Sequence, residues 1–136
     1  MNGAVVDTDV VSFVFKNDSR AASYASHLGN RLLVVSFMTI AELERWPLRR
    51  GWSGARRQRL EQFLDNYVVV HSGRALCRVW AEVTEQCRRQ GRPINSGDAW
   101  IAATALYYGL PLITHNRDDF AAVDGLSLIS EAPTVP

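Results

Sequence analysis

The stretch that most constrains the fold is Ala4-Val5-Val6-Asp7-Thr8-Asp9, in which an apolar run leads directly into two acidic residues. Because the run has no polar alternation, it predicts a strand buried on both faces, as in a parallel sheet covered by helices. Ligands of such sheets bind beyond the carboxyl ends of the strands. Asp7 is therefore expected at the floor of a cleft, or else it caps the following helix. The positions of the other acids decide between these alternatives.

The rest of the chain alternates helical and strand patterns, which predicts an α/β fold with four to five parallel strands and helices on both faces. Because no linker or repeat appears, one domain over residues 1–136 is expected. Strands are predicted at 4–6, 32–35, 67–70, 112–114 and 126–129. Helices are predicted at 10–15, 18–28, 39–47, 53–64, 73–91 and 97–108, with Ser53 and Ser96 as caps of the fourth and sixth.

The composition excludes several classes of protein. Hydrophobic residues make up 47% of the chain and charged residues 21%, as in globular proteins. No run approaches the roughly 18 apolar residues of a membrane span, and the start of the chain has no leader pattern, so a cytoplasmic location is expected. Cys77 and Cys87 lie about 15 Å apart on one predicted helix, too far for a disulfide, and both are expected to be buried apolar residues.

Basic residues are unevenly distributed, although the formal net charge is only +1. Lys16 is the one lysine, and six of the fourteen arginines crowd into one short stretch: Arg45, Arg49, Arg50, Arg56, Arg57 and Arg59. Arginine suits bidentate contact with phosphate or carboxylate, so this stretch is a candidate contact for RNA or for an acidic protein partner. A solvated helix face is an equal alternative.

Further acids fall where the same edge of the sheet is expected. Glu42 follows the second strand, Asp98 lies in the first turn of an alanine-rich helix, and Asn116 and Asp119 follow the fourth strand. Each has a local explanation: Thr39-x-x-Glu42 fits a capping box, Asp98 complements a helix dipole, and the last two suit a turn. As a group, however, oxygen ligands without Cys or His suit Mg²⁺ or Mn²⁺. Without a cation, clustered carboxylates would repel one another.

Five segments, in order, resemble the PIN-domain family and in particular its VapC-type toxins. They are Val5-Val6-Asp7-Thr8-Asp9, Thr39-Ile40-Ala41-Glu42-Leu43, Gly91-Arg92-Pro93-Ile94, Asp98-Ala99-Trp100-Ile101-Ala102-Ala103 and Leu112-Ile113-Thr114-His115-Asn116-Arg117-Asp118-Asp119-Phe120. The resemblance implies a Mg²⁺- or Mn²⁺-dependent endoribonuclease that hydrolyses RNA through a metal-activated water in an acidic pocket. Such a protein is the toxin of a bacterial toxin–antitoxin pair.

The resemblance also implies roles for individual residues and for partners. Asp7, Glu42 and Asp98 match the metal-binding acids of the family, and Asn116 and Asp119 match its more variable fourth-acid loop. Members usually form homodimers and are held inactive by a cognate antitoxin. The sequence does not disclose the RNA, for which transfer RNA and other structured RNAs are candidates.

Three positions in this chain need separate interpretation. Asp9 stands where the family commonly has Asn, so it either adds a ligand or caps the first helix, and we favour the cap. Asn116 is neutral, which leaves Asp119 to supply charge. Thr114 either orients a water or a phosphate, or is a buried threonine at a strand end.

Two other functions fit parts of the sequence. Asp7 could be the nucleophile of a phosphatase like the haloacid dehalogenases, a chemistry that needs a downstream lysine, and Lys16 is the only one. Alternatively, the chain could be a PIN module that binds RNA or a partner with little turnover, as the neutral Asn116 would suit. For a dimer face, the aromatic residues of the first four helices are the candidates: Phe13, Phe15, Tyr24, Trp46 and Trp52.

Overall fold

The computed structural model describes residues 2–133, so Met1 and residues 134–136 of the domain expected over 1–136 lie outside the described residues. The five strands are all parallel, in the order β3-β2-β1-β4-β5. They are β1 (Gly3–Val6), β2 (Leu32–Ser36), β3 (Val68–Val70), β4 (Leu112–Ile113) and β5 (Leu128–Ile129). This confirms the predicted parallel sheet.

The central strand β1 pairs with β2 on one side and β4 on the other. Val5 lies opposite Val34 in β2 and Leu112 in β4. Ala4, Val5 and Val6 have no exposed surface. The unalternated apolar run is therefore buried on both faces, as its sequence predicts.

Helices cover both faces of the sheet, again as predicted. They are α1 (Thr8–Lys16), α2 (Ala25–Leu28), α3 (Phe37–Arg50), α4 (Gly54–Leu64), α5 (Arg74–Arg89) and α6 (Ser96–Tyr108), with 3-10 turns at Ser19–Tyr24 and Arg117–Phe120. One core cluster, on the side of α1, α3 and α4, includes Val10, Leu43 and Leu60. The other, on the side of α5 and α6, includes Val83 and Ile101.

The prediction for α3 is wrong at both ends. Ser36 caps the helix, its side chain accepting a hydrogen bond from the Met38 amide, so Thr39 lies inside the helix and forms no capping box with Glu42. The helix also continues through Pro47 to Arg50. A proline removes one backbone donor, but Pro47 is buried, and Gly51 ends the helix in the left-handed conformation at φ 59°.

Two smaller expectations also need correction. The cap of α6 is Asn95, not Ser96, because the Asn95 Oδ1 accepts hydrogen bonds from the amides of Gly97 and Asp98. Cys87 is buried but Cys77 is exposed, because the buried face of α5 runs through Leu76 and leaves the next residue outside it. Both cysteines are free, as expected.

The proposed aromatic patch for a dimer face is also partly wrong. Phe13 and Tyr24 are buried in the core beneath α1 and the first 3-10 turn, and only Phe15, Trp46 and Trp52 remain half-buried.

Within residues 2–133 no helix is long and apolar enough to cross a membrane.

Candidate active site

The predicted acids meet beyond the carboxyl ends of the strands. Asp7 follows β1 and caps α1, Glu42 lies on α3, Asp98 lies in the first turn of α6, and Asp119 lies in the 3-10 turn after β4. Burial is the largest cause of the raised pKa of Asp98 and of Asp7, but the charges of Asp119 and Glu42 also raise the pKa of Asp98, and the charge of Asp98 also raises the pKa of Asp7. Four distant segments therefore contribute carboxylates to one negative site.

Asp7 is the most buried of these acids, with 5% of its surface exposed. One carboxylate oxygen accepts a hydrogen bond from the Thr8 amide at 2.7 Å, and the other accepts one from the Thr114 hydroxyl at 2.7 Å. Burial, followed by the charge of Asp9, raises the pKa of Asp7 to about 8, although both hydrogen bonds act in the opposite direction. Asp7 thus caps the helix and also forms the floor of the site, so the two alternatives are not exclusive.

We expected Asp9 to cap the first helix, but this prediction is wrong, because Asp7 occupies the capping position. The two oxygens of Asp9 instead accept hydrogen bonds from the amides of Val10 at 2.7 Å and His115 at 3.1 Å. Burial raises the pKa of Asp9, and these hydrogen bonds lower it in part. Asp9 therefore joins α1 to the loop that carries Asn116 and Asp119.

Glu42 and Asp98 face each other across the gap between α3 and α6. A Cβ atom at Gly97 would lie 3.5 Å from the Glu42 Oε1, so the small residue at position 97 leaves room for this carboxylate beside α6. Burial raises the pKa of Glu42, whereas the Thr8 hydroxyl and the positive charge of Arg45 lower it. Burial is also the main cause that raises the pKa of Asp98 to about 6.

The loop after β4 is organised by Thr114, which is fully buried. The Thr114 hydroxyl donates to Asp7 and accepts a hydrogen bond from the Asn116 amide at 3.0 Å. The Asn116 carbonyl in turn accepts one from the Asp119 amide at 3.0 Å. Thr114 is therefore a buried threonine at the end of a strand, which was one of the two alternatives from the sequence, and it orients Asp7. Asn116 and Asp119 are exposed beside the site.

The donor set fits a divalent cation in its chemistry. Within residues 2–133, no three His, Cys, Asp or Glu side chains already stand in an arrangement that could hold an ion. However, each Asp7 oxygen accepts one hydrogen bond and keeps a second lone pair, and the Asp98 carboxylate accepts none from the described residues. The raised pKa values reflect burial and mutual repulsion, which a cation would offset.

Lys16 lies too far along its helix to serve the phosphatase alternative. It is the last residue of α1, whereas Asp7 caps the first turn. Its Nζ lies 4.5 Å from the centre of the Trp46 ring. A nucleophile at Asp7 would therefore lack the lysine that this chemistry requires.

The arginine stretch forms a positive surface at the α3–α4 junction. Arg45, Arg49, Arg50, Arg56 and Arg57 are all exposed, and within the described chain none of them forms an ion pair with an acid. Arg50 lies over the Trp46 ring and Arg56 over the Trp52 ring. Burial, followed by the charges of Arg50 and Arg56, lowers the pKa of Lys16. No acid of the described residues therefore pairs directly with these arginines.

Sequence reasoning missed several residues around the acids. Arg92 and Asn95 line a cavity of about 280 Å³ together with Asp98 and Asp119. The Thr8 and Thr39 hydroxyls are hydrogen-bonded at 3.0 Å next to Glu42. The His115 Nδ1 lies 2.6 Å from the Tyr24 hydroxyl. Arg92 lies in a segment that carries the family resemblance, but the other contacts join residues far apart in sequence and leave no local signal.

Comparison with known proteins gives a consistent result. The family model described as "PIN domain" matches residues 4–126. The chain is 29% identical to Ribonuclease VapC1 of Haemophilus influenzae over 124 residues, which cover 90% of this chain and 92% of that protein. It is 31% identical to VapC ribonuclease Y4jK of Sinorhizobium fredii, over 93% of this chain and 95% of that one.

A solved structure is similar over nearly its whole length. It is a member of the VapBC family of toxin–antitoxin systems, VapBC-5 from Mycobacterium tuberculosis. The TM-score is 0.73 and the sequence identity 29%, and the match covers 96% of this chain and 99% of that one.

Proposed function

The chain belongs to the PIN-domain family, and from this membership we propose that it is an endoribonuclease of the VapC kind, the toxin of a toxin–antitoxin pair. Two observations from the relatives support the proposal. Two relatives that match over about nine-tenths of the chain are named ribonucleases, and a structural relative belongs to a toxin–antitoxin system. PIN-domain nucleases generally use a divalent metal, and we propose Mg²⁺ or Mn²⁺ here because the donors are all oxygens.

The observation that carries this proposal is the convergence of one buried and two half-buried carboxylates, Asp7, Glu42 and Asp98, whose pKa values are raised. Asp7, Asp98 and Glu42 would hold the first metal ion, and Asp119 with Asn116 would assist a second. A divalent cation bound there lowers the pKa of a water and stabilises negative charge on a phosphodiester.

The surrounding residues hold these acids and the substrate in position. Thr114 fixes the orientation of the Asp7 carboxylate, and Asp9 fixes the loop that carries Asp119. The exposed arginines of the α3–α4 junction contact the RNA backbone, since none of them forms an ion pair with an acid of the described residues. Transfer RNA or another structured RNA is the proposed substrate.

The test is a double variant, Asp7→Asn with Asp98→Asn. It removes two negative charges but keeps the α1 cap, because asparagine caps as well as aspartate. We expect Mg²⁺-dependent cleavage of RNA to fall to the level seen without metal, while the circular dichroism spectrum and cooperative unfolding are retained. The matched control is Asp124→Asn. Asp124 is an exposed acid outside the elements that carry the site acids, so this variant should cleave normally.

Two results would contradict the proposal. Cleavage that persists in the double variant would show that Asp7 and Asp98 are not required for the reaction. Mg²⁺-dependent RNA binding without any cleavage by the wild-type protein, freed of partners, would favour the binding-module alternative.

The partners follow from the same proposal. A cognate antitoxin would inhibit the protein, as expected for a toxin of this kind, and the toxin itself would form a homodimer without membrane contact. A cytoplasmic location follows from an RNA substrate. Size-exclusion chromatography with light scattering of the purified chain, alone and with the antitoxin, tests both assemblies.

A further inference from the structure

Two cavities flank the first turn of α6, one on each side of the acids. Arg92 lines the first, of about 280 Å³, which also contains Asp119. Arg45 lines the second, of about 520 Å³, which also contains Glu42. Asp98 lines both cavities. The carboxylates therefore lie between two arginines that come from different parts of the chain.

A hydrogen bond of its main chain, and not an ion pair of its side chain, fixes the position of Arg92. Its amide donates to the Cys87 carbonyl at 3.0 Å, and the preceding Gly91 turns the chain away from α5 at φ 74°. The side chain is exposed, and in the described part of the chain it forms no ion pair, although Asp98 and Asp119 line the same cavity. An anion entering this cavity would meet a positive group that forms no ion pair within the described residues.

On the other side, positive charge extends away from the acids. Arg45 is exposed and lines its cavity together with Trp46. The Trp46 ring lies beneath both Lys16, at 4.5 Å, and Arg50, at 5.2 Å. These like charges repel one another, which costs stability that a bound polyanion would recover.

A phosphate chain that approaches carboxylates is repelled by them, so positive contacts on either side of the cleaved linkage would favour binding. We propose that Arg92 binds the RNA phosphate on one side of this linkage and Arg45 the phosphate on the other, so that the strand crosses the first turn of α6. The inference rests on the proposed ribonuclease function and names a contact, Arg92, opposite the arginine-rich stretch. It also sets a minimum footprint, because an RNA that ends at the cleaved linkage lacks one of the two contacts.

The test compares Arg92→Gln and Arg45→Gln with Arg78→Gln, an exposed arginine on α5 that lines neither cavity. Each of the first two changes should raise KM by about tenfold, as expected for loss of a charged hydrogen bond. Each should also reduce the slope of log affinity against log salt by about 0.7, the value for one phosphate contact on a single strand. Arg78→Gln should change neither quantity.

A modified substrate locates the contact. An RNA oligonucleotide with one neutral methylphosphonate beside the cleaved linkage should bind wild type more weakly. On the side that Arg92 contacts, the same modification should weaken binding to Arg92→Gln no further. If every modified position weakens Arg92→Gln as much as wild type, Arg92 does not contact a phosphate.

Binding is measured in the Asp7→Asn with Asp98→Asn background, in which we expect no cleavage, so this inference can fail separately from the function. If wild type cleaves RNA but Arg92→Gln leaves KM, affinity and salt slope unchanged, the contact is refuted and the ribonuclease stands. If no RNA is cleaved but Arg92→Gln still weakens binding, the contact stands and the activity is refuted. If Arg92→Gln weakens only antitoxin binding, Arg92 belongs to a protein interface and the inference is overturned.

Discussion

At the scale of single residues, Thr114 connects the two halves of the acidic site. Its hydroxyl donates to a carboxylate oxygen of Asp7 and accepts a hydrogen bond from the amide of Asn116. The end of β1 and the loop after β4 are thereby joined through one buried side chain. Because a hydroxyl can both donate and accept, a single atom satisfies two polar groups that would otherwise be unpaired.

Thr114→Val should therefore destabilise the protein and impair cleavage. Valine has nearly the same shape but leaves an Asp7 oxygen and the Asn116 amide without partners, at a cost of about 1–3 kcal/mol in the free energy of unfolding. Urea denaturation and Mg²⁺-dependent RNA cleavage measure the two effects. Thr114→Ser keeps the hydroxyl and should retain most of the activity; equal losses in the two variants would show that the hydroxyl is not responsible.

Residue patterns predicted where the acids would converge but not how each one is held. Asp7, Glu42 and Asp98 could be placed at one edge because each lies near the end of a strand or the start of a helix. The contact between Asp7 and Thr114 spans 107 residues, and that between Asp9 and His115 spans 106. Such hydrogen bonds depend on the final packing, so local sequence rules pointed wrongly to Asp9 as a helix cap.

At the scale of elements, the start of α6 determines where Asp98 lies. Asn95 accepts hydrogen bonds from the Gly97 amide at 2.8 Å and from the Asp98 amide at 3.2 Å. These bonds fix the first turn of the helix against the acids of α3 and of the loop after β4. Sequence rules pointed to Ser96 instead, since both residues are good caps and only the backbone conformation distinguishes them.

Asn95→Ala should lower the free energy of unfolding by about 1 kcal/mol, the usual cost of a lost cap. The first turn of α6 would loosen, so cleavage should fall by more than the unfolded fraction explains. Thermal unfolding and cleavage rates measured side by side provide the comparison. Asn95→Ser restores a capping oxygen and should recover stability; failure to recover it would mean that Asn95 acts other than as a cap.

The elements themselves were predictable where an apolar run, a helical repeat of apolar residues, or clear start and stop residues marked them. The five strands and the long helices α5 and α6 appear close to their predicted bounds. The end of α3 was not predictable, because Pro47 signals a stop that burial and the Gly51 cap overcome. In that case tertiary packing outweighs a local preference.

At the scale of the whole molecule, the fold brings several carboxyl groups together at one site. The protein should therefore lose stability as these groups lose their protons and become negatively charged. The pKa of Asp7 is about 8 and that of Asp98 about 6 in the folded protein, whereas an unfolded aspartate has a pKa of about 3.9. Between these limits the folded state binds more protons than the unfolded state. The free energy of unfolding therefore falls as pH rises from about 4 to about 8.

A divalent cation should reverse this loss, because it binds the deprotonated carboxylates of the folded state and stabilises that state by mass action. Its effect should grow with pH, since fewer protons then compete for the same oxygens. The double variant Asp7→Asn with Asp98→Asn lacks the charges, so its stability should depend much less on pH between 5 and 8 and should not respond to the cation.

The most direct measurement is the thermal midpoint of the metal-free protein at pH 5 and pH 8, with and without Mn²⁺. We predict a lower midpoint at pH 8 than at pH 5, a rise on adding Mn²⁺ that is larger at pH 8, and neither effect in the double variant. A thermal midpoint that does not change on adding Mn²⁺ at pH 8, or one that rises equally in the double variant, would contradict a metal site built from Asp7 and Asp98.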